Sequence, residues 1–203
     1  MHDLTSAARE LSGIAAEVGE HHLDRPTPCG EWSVRDLLLH LLGLTSHFTS
    51  VARKRPSTPP ELLELPDDWR AHLDVRLDDL AAAWQDPHAW TGDGEAGGVR
   101  MPNADLGIVA LEEIVLHGWD LARAVDVRFS VSDADVTAVR GFVAGFEHAG
   151  EAVRAGLYGP VVGAQPADAR PADAQADAEF AQVLALAGRS PRWSATLVDA
   201  EAR

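Results

Sequence analysis

Cysteine and lysine are scarce in this sequence. Cys29 is the only cysteine among 203 residues, which excludes a disulfide scaffold and any zinc site built from pairs of cysteines. A single thiol also suits a reducing compartment such as the cytosol. Lys54 is the only lysine, and 17 basic residues stand against 32 acidic ones, for a formal charge of −15. Because such a field repels phosphate groups, we expect no binding to nucleic acid and no basic membrane patch.

Long hydrophobic runs are also missing. No run of about eighteen consecutive apolar residues occurs, and a transmembrane helix needs that length. The first segment carries Asp3, Arg9 and Glu10 inside its apolar pattern, whereas a signal peptide needs an uncharged apolar segment. We therefore expect a cytoplasmic protein, and the length fits one domain that can bury a core without cross-links.

Long stretches of alternating apolar and polar residues, which mark β-strands, are absent, and helical spacing takes their place. The pattern predicts an all-α protein, a four-helix bundle with an extra short C-terminal helix. Ser33 with Asp36 and Ser132 with Asp135 have the spacing of N-terminal caps, and Asn103 can cap the fourth helix. That helix is apolar almost all round, so we expect it at the centre. The predicted helices span about residues 4–18, 34–55, 67–85, 104–125, 133–157 and 179–188.

Composition divides the chain near its last quarter. Residues 1–160 carry the helical bundle, whereas 161–203 begin with an imperfect Pro-Ala-Asp-Ala repeat typical of an exposed linker. We expect the short helix of this second part to pack on the same domain. The glycine-rich loop 87–102 leaves room for a short hairpin but predicts no larger sheet. Its Gly92–Gly97 letters match a dinucleotide-binding loop, yet no strand precedes them and no helix opens from them, so we interpret them as a turn.

The most informative pattern lies in the fourth predicted helix. Glu113 and His117 are four residues apart and share one face of the most apolar helix in the chain. An unpaired carboxylate buried there is costly or takes up a proton, and a bound metal removes that cost. The alternative interpretation is a buried Glu–His hydrogen bond within one helix.

The second helix contributes a matching group. His40 is flanked by leucines and so projects from an apolar surface, although a core histidine is often only hydrogen-bonded. His40, Glu113 and His117 together supply two imidazoles and one carboxylate, which leaves a position open for water or substrate, as in catalytic zinc sites. The same donors suit Fe²⁺ or Ni²⁺. These residue types predict a divalent metal but do not by themselves name it.

Three further residues stand near this set in the sequence. His47 follows His40 by two helical turns, so it is either a competing ligand or, as we favour, a wall of the pocket. Asp120 can orient a ligand from the second coordination sphere or pair with Arg123. Glu112 lies about 100° round the helix from the next glutamate and can reach solvent or Arg123.

The remaining candidates have weaker patterns. Cys29 lies in a loop with no adjacent basic group to activate it, so we do not expect it to be a nucleophile. The arginines that could hold a substrate carboxylate are Arg25, Arg35, Arg100 and Arg123. The histidines expected to be solvated are His21, His22, His72, His88 and His148.

Two longer motifs resemble a known family. TPCGEWSVRDLLLHLLG at 27–43 and EEIVLHGWDLARA at 112–124 resemble the DinB-like metal-binding four-helix bundles, in particular the branch related to mycothiol-dependent maleylpyruvate isomerase. The likeness covers about residues 1–157. The tail around 158–189 is similar to the short ending of a single-domain subfamily, whereas the isomerase carries a further C-terminal domain.

The resemblance implies a divalent metal, usually zinc, bound by His40, Glu113 and His117. It also implies a low-molecular-weight thiol such as mycothiol as co-substrate, used in S-transfer or isomerisation. We expect a metal-dependent enzyme in which a thiolate attacks a small electrophilic substrate, acting as a monomer or homodimer. Asp120 would support the site as a residue of the second sphere. The alternatives are a metal-dependent small-molecule hydrolase and a non-catalytic metal-binding protein.

Overall fold

The structure, a computed structural model, describes residues 1–57, 64–148, 157–163 and 174–195. This part of the chain is mostly helical, as the apolar spacing predicts, with one small sheet. The helices are α1 (Thr5–Glu17), α2 (Val34–Ala52), α3 (Trp69–Trp84), α4 (Asn103–Ala124), α5 (Asp133–Ala144) and α6 (Ala174–Leu186). The strands are β1 (Asp93–Ala96) and β2 (Val99–Pro102). None of the described helices combines the length and apolar character that a membrane span requires.

Helix α4 lies at the centre of the fold, as its continuous apolar surface predicts. It packs against α1, α2 and α5, while α1 and α2 also pack against α3. Buried side chains of these helices form a hydrophobic core, to which α4 contributes Leu106, Ala110, Leu111, Ile114 and Leu121 with no exposed surface. Because α4 is enclosed on several sides, any polar side chain on it needs a partner.

The starts of α2 and α5 follow the predicted capping pattern. The Ser33 hydroxyl accepts the backbone N–H of Asp36 at 3.2 Å, and the Asp36 carboxylate accepts the backbone N–H of Ser33 at 2.9 Å. The Ser132 hydroxyl likewise accepts the backbone N–H of Asp135 at 3.1 Å. These bonds satisfy N–H groups that have no partner inside the helix.

Asn103 does not cap α4, and this prediction was wrong. Pro102 holds the cap position, and Asn103 is the first residue of the helix, fully buried. Its side-chain amide donates to the carbonyl of Ala89 at 2.9 Å, and its backbone N–H donates to the carbonyl of Gly92 at 2.9 Å. The loop before α4 folds back onto the helix start, which puts these carbonyls in reach of Asn103.

The glycine-rich loop forms a hairpin. Strands β1 and β2 pair antiparallel, with Ala96 opposite Val99. Gly97 and Gly98 make the turn with φ of 57° and 77°, a region that favours glycine. The strands are too short for an alternating pattern to reveal them. No helix opens from β1, so the loop lacks the architecture of a dinucleotide site.

The chain after α4 departs from the predicted boundaries. Helix α5 ends at Ala144 rather than near residue 157, and residues 149–156 lie outside the described part. Most of the predicted linker, residues 164–173, also lies outside it. The division into 1–160 and 161–203 therefore stays a prediction.

Helix α6 starts earlier than the apolar pattern suggests, at Ala174. It packs against α5, and Phe180, Val183 and Leu184 join the hydrophobic core. The Phe180 ring stacks on that of Phe129 with centroids 5.5 Å apart. Helix α6 thus packs on the body of the protein.

Candidate metal centre

Helices α2 and α4 bring the three predicted ligand residues, His40, Glu113 and His117, together; we call them the triad. The Oε2 atom of Glu113 lies 3.1 Å from Nε2 of His117 and 3.3 Å from Nε2 of His40. The three donor atoms lie within 4.8 Å of one another. Glu113 and His117 are therefore in contact within α4. His40 adds a contact with the same carboxylate from a second helix.

The local sequence explains why these side chains meet. Glu113 and His117 share a face of α4 because they are four residues apart. His40 stands at the edge of the buried stripe of α2, next to Leu37 and Leu41, which are fully enclosed. Because α2 packs against α4, the imidazole of His40 turns toward Glu113.

The triad is closed on one side and open on the other. The side chain of His117 is 8% exposed, whereas those of Glu113 and His40 are 26% and 32% exposed. The Trp32 ring lies against both imidazoles, with its centroid 4.8 Å from that of His40 and 6.0 Å from that of His117. The donor atoms therefore border an apolar wall and stay within reach of a small molecule.

The protonation states of Glu113 and His117 depend on each other. Burial by itself would raise the pKa of Glu113, but hydrogen bonds from His117 and His40 bring it well below its usual range. Burial would lower the pKa of His117, yet its bonds with Asp120, Cys29 and Glu113 raise it well above the ordinary value. An ionised carboxylate is thus coupled to a proton on imidazole, and a metal cation can take the place of that proton.

Asp120 holds the second ring nitrogen of His117. Nδ1 of His117 lies 3.0 Å from Oδ2 of Asp120, whose side chain is fully buried. Arg189, just after α6, donates to both oxygens of the same carboxylate. Burial opposes ionisation of Asp120, but the Arg189 charge and the bond to His117 keep its pKa below the ordinary value. Pairing with Arg123 was wrong, because Arg123 donates instead to the carbonyl of Trp193.

Arg189 is a residue of the site that the sequence did not reveal. It is 7% exposed and far from Asp120 in the chain, so no local spacing connects the two. Its Nη2 also lies 3.8 Å from Sγ of Cys29. Cys29 therefore has a basic neighbour in space. The expectation of no basic neighbour considered only residues adjacent to it in the sequence.

Glu112 is buried rather than solvent-facing, which corrects the expectation that it reaches water or Arg123. It is 5% exposed and hydrogen-bonds Tyr158. Burial and the neighbouring charge of Glu113 raise the pKa of Glu112 to about 8. Burial also raises the pKa of Tyr158. The raised pKa favours the neutral form of the Glu112 carboxyl, which lowers the cost of enclosing it beside Glu113.

His47 lies apart from the triad. Its Nδ1 is 2.9 Å from the hydroxyl of Ser57, and its Nε2 is 3.0 Å from the carbonyl of Glu95. Since both ring nitrogens have partners, His47 is not positioned as a competing ligand. Of the other histidines, His22 is half-buried and accepts the backbone N–H of Gly19 at 3.0 Å; the exposed ones are His21, His72, His88 and His148.

The four arginines considered for a substrate carboxylate have partners elsewhere. Arg25 and Arg123 donate to backbone carbonyls, those of Ala124 and Trp193. Arg35 and Arg100 are paired with carboxylates, those of Asp24 and Asp93. None of these contacts joins the triad.

The donor set fits a divalent transition metal. In a tetrahedral site with zinc bonds of about 2.0–2.1 Å, ligand atoms lie about 3.3 Å apart, close to the 3.1 and 3.3 Å between Glu113 and the two imidazoles. A second group, Cys29 with His117 and Asp120, also has donor atoms within 4.8 Å. In that group Arg189 already occupies the Asp120 oxygens, so the triad is the better candidate. Imidazole and carboxylate together suit Zn²⁺, Ni²⁺ or Fe²⁺.

The comparison with protein families identifies the chain. Residues 4–122 match the family described as the mycothiol maleylpyruvate isomerase N-terminal domain. The chain belongs to this family. The resemblance seen in the two sequence motifs is thereby confirmed, and the matched region contains the triad and Asp120. Tyr158 and Arg189 lie beyond the region that matches the mycothiol maleylpyruvate isomerase N-terminal family. The searches of curated proteins and of solved structures found no significant match to the chain.

Proposed function

We propose that the protein is a metal-dependent enzyme, with zinc as the metal, that uses a low-molecular-weight thiol such as mycothiol. It transfers the thiol to a small electrophile or isomerises such a substrate. The observation that carries the proposal is the convergence of His40, Glu113 and His117 from two helices at a solvent-accessible opening. Membership of a family named for mycothiol chemistry supports the choice of co-substrate.

The triad would hold the metal. A divalent ion bound there supplies the positive charge that keeps a coordinating thiol deprotonated. Three protein ligands are typical of catalytic zinc, whereas structural zinc is usually held by four. The open side of the triad, next to His40, is where a thiol and its electrophile would approach.

The other residues of the site shape and orient it. Asp120 would hold a proton on Nδ1 of His117, 3.0 Å away, and leave Nε2 free of that proton, directed toward Glu113. The Trp32 ring limits water on one side of the imidazoles and offers an apolar surface to the substrate. The raised pKa of Glu112, which is bound to Tyr158, and the lowered pKa of Glu113 favour Glu113 as the anionic group of the pair.

We also infer that α1 to α4 form the four-helix bundle of DinB-like proteins. The packing of α1 and α2 against both α3 and α4 supports this arrangement.

A reducing cytoplasm is the compartment that keeps both the thiol co-substrate and Cys29 reduced. The net charge of −15 favours small molecules over nucleic acid as partners.

The first test is the metal content of His117→Ala. We expect the wild-type protein, purified and loaded with Zn²⁺, to retain about one metal per chain after desalting, and His117→Ala to lose most of it, since it loses one of three ligands. His72→Ala is the matched control, because His72 is an exposed histidine on α3 that pairs with Asp68. Stoichiometric zinc in His117→Ala would show that the triad is not the site.

The second test is activity. The zinc form is assayed with mycothiol, glutathione and cysteine against a haloalkyl probe; the sulfur forms a C–S bond as halide leaves, and a proton passes to solvent. We expect turnover that requires both zinc and thiol and is lost in His117→Ala. Turnover of esters without thiol would favour the hydrolase, and absence of metal binding would leave a non-catalytic helical protein.

A further inference from the structure

Arg189, a buried arginine just after α6, binds Asp120, which in turn contacts His117 of the triad. Nε of Arg189 donates to Oδ1 of Asp120 at 3.1 Å, and Nη2 donates to Oδ2 at 2.9 Å, the paired geometry of strong Arg–carboxylate contacts. Nη1 donates to the carbonyl of Ala187 at 3.0 Å. Every guanidinium nitrogen therefore has a partner within the protein. The group is held in place rather than left free for a substrate anion.

The backbone before Arg189 is shaped to deliver it. Gly188 has a φ of 78°, and its N–H bonds the carbonyl of Ala185 while that of Arg189 bonds the carbonyl of Leu184. This is how helices end at a left-handed glycine. A Cβ at position 188 would lie 2.7 Å from the backbone of Gly159. The end of α6 therefore packs directly against Gly159. This contact fixes the position of the Arg189 backbone.

Asp120 passes this constraint to His117. The oxygen that binds Nη2 of Arg189, Oδ2, also lies 3.0 Å from Nδ1 of His117. A ligating histidine usually donates its second ring N–H to a carboxylate, which fixes both the ring and the tautomer. The other nitrogen, Nε2, then faces Oε2 of Glu113 at 3.1 Å. Two bonds from Arg189 keep the Asp120 carboxylate from rotating away.

We propose that Arg189 is a positioning residue of the metal centre: it fixes Asp120, which holds the Nδ1 proton of His117 and leaves Nε2 as the ligand atom. The inference rests on the proposed function, since it takes His117 as a ligand. It also extends the site beyond the matched region 4–122. The segment after α6 then completes the centre that α2 and α4 begin.

A purely structural ion pair makes a different prediction. In that case Arg189 would only neutralise a buried carboxylate, and its loss would destabilise the fold without changing how the triad binds a cation. Lysine carries the same charge but presents a single ammonium instead of a planar fork. Arg189→Lys therefore separates the charge from the geometry.

The test measures Zn²⁺ affinity of the full chain by competition with a chromogenic chelator, together with the visible absorption of the Co²⁺ form. We expect Arg189→Met to lower Zn²⁺ affinity about 10–100-fold, as loss of outer partners of a ligand does, and to alter the Co²⁺ bands. Arg189→Lys should recover only part of the affinity. Val183→Ala, which loosens α6 at a fully buried position without touching Asp120, is the matched control and should keep both.

A double variant covers the case in which Arg189→Met does not fold. Asp120→Asn combined with Arg189→Met removes both charges, so no unpaired ion is left buried. If Arg189 acts through Asp120, the double variant loses as much Zn²⁺ affinity as Asp120→Asn alone. A further tenfold loss in the double variant would mean that Arg189 acts by another route, and the inference would be wrong.

The outcomes separate this inference from the proposed function. Wild-type Zn²⁺ affinity and unchanged Co²⁺ bands in Arg189→Met, whatever its melting temperature, would overturn the inference and leave the metal enzyme standing. If the wild-type protein binds no Zn²⁺, or if His117→Ala binds it as tightly as wild type, the proposed function fails and the inference falls with it.

Discussion

The absence of a side chain at Gly107 allows α4 to pack closely against two tryptophan rings. A Cβ at this position would lie 2.5 Å from the Trp90 ring and 2.9 Å from the Trp84 ring. The Trp90 ring has little freedom to move, because its Nε1 donates to the carbonyl of Trp84 at 2.8 Å. Gly43 in α2 is the opposite case, since no atom of the described residues lies within 4 Å of a Cβ built there.

The two glycines predict opposite effects of the same substitution. Gly107→Ala should lower the free energy of unfolding by about 1–3 kcal/mol, the usual cost of overpacking. Gly43→Ala should raise it by about 0.5–1 kcal/mol, because alanine favours the helix and reduces the freedom of the unfolded chain. Urea unfolding followed by circular dichroism measures both. A Gly107→Ala variant as stable as Gly43→Ala would contradict the packing described above.

At the scale of elements, α2 matters because it carries His40 and begins only a few residues before it. The reciprocal bonds between Ser33 and Asp36 define where the helix starts. Leu37, Leu38 and Leu41 follow as fully buried residues. The cap and the apolar stripe together set the rotation of α2, and with it the direction of the His40 imidazole.

Removal of the cap should therefore weaken α2 measurably. We expect Ser33→Ala to lower the free energy of unfolding by about 1 kcal/mol. Ser50→Ala is the control on the same helix, since the Ser50 hydroxyl donates to the carbonyl of Ser46 at 3.0 Å, a bond that adds little to helix stability. Equal losses in the two variants, measured by chemical denaturation, would count against the capping role.

For the whole molecule, the triad joins parts of the chain that are distant in sequence. His40 lies on α2, whereas Glu113 and His117 lie on α4, the helix that also contacts α1 and α5. A metal held by all three side chains would be lost when the protein unfolds. Binding is therefore linked to the stability of the fold as a whole.

This linkage predicts a response to zinc. Free Zn²⁺ at a hundredfold excess over its Kd should add about 2.7 kcal/mol to the free energy of unfolding and raise the melting temperature, and chelation should reverse the change. His117→Ala should not respond, whereas His72→Ala should respond like wild type. Calorimetry with and without chelator makes the measurement, and identical melting curves for the wild-type protein would contradict the proposal.

Much of the architecture could be predicted from short spacings. The i, i+4 interval of Glu113 and His117, the cap at Ser33 and the apolar character of α4 are local patterns, and helix geometry converts each into a position in space. The approach of His40 to Glu113 also followed, because both project from apolar helix faces that must pack together. That the triad binds a metal, and which reaction such a metal supports, stay predictions.

The contacts that only the tertiary structure decided lie far apart in the chain. Asp120 meets Arg189 rather than Arg123, and Glu112 meets Tyr158 rather than solvent. A helical spacing specifies which face a side chain occupies, but the segment that covers that face depends on how the whole chain packs. The amino-acid sequence by itself therefore determined the three side chains at the centre of the site, and the fold determined the buried partners that surround them.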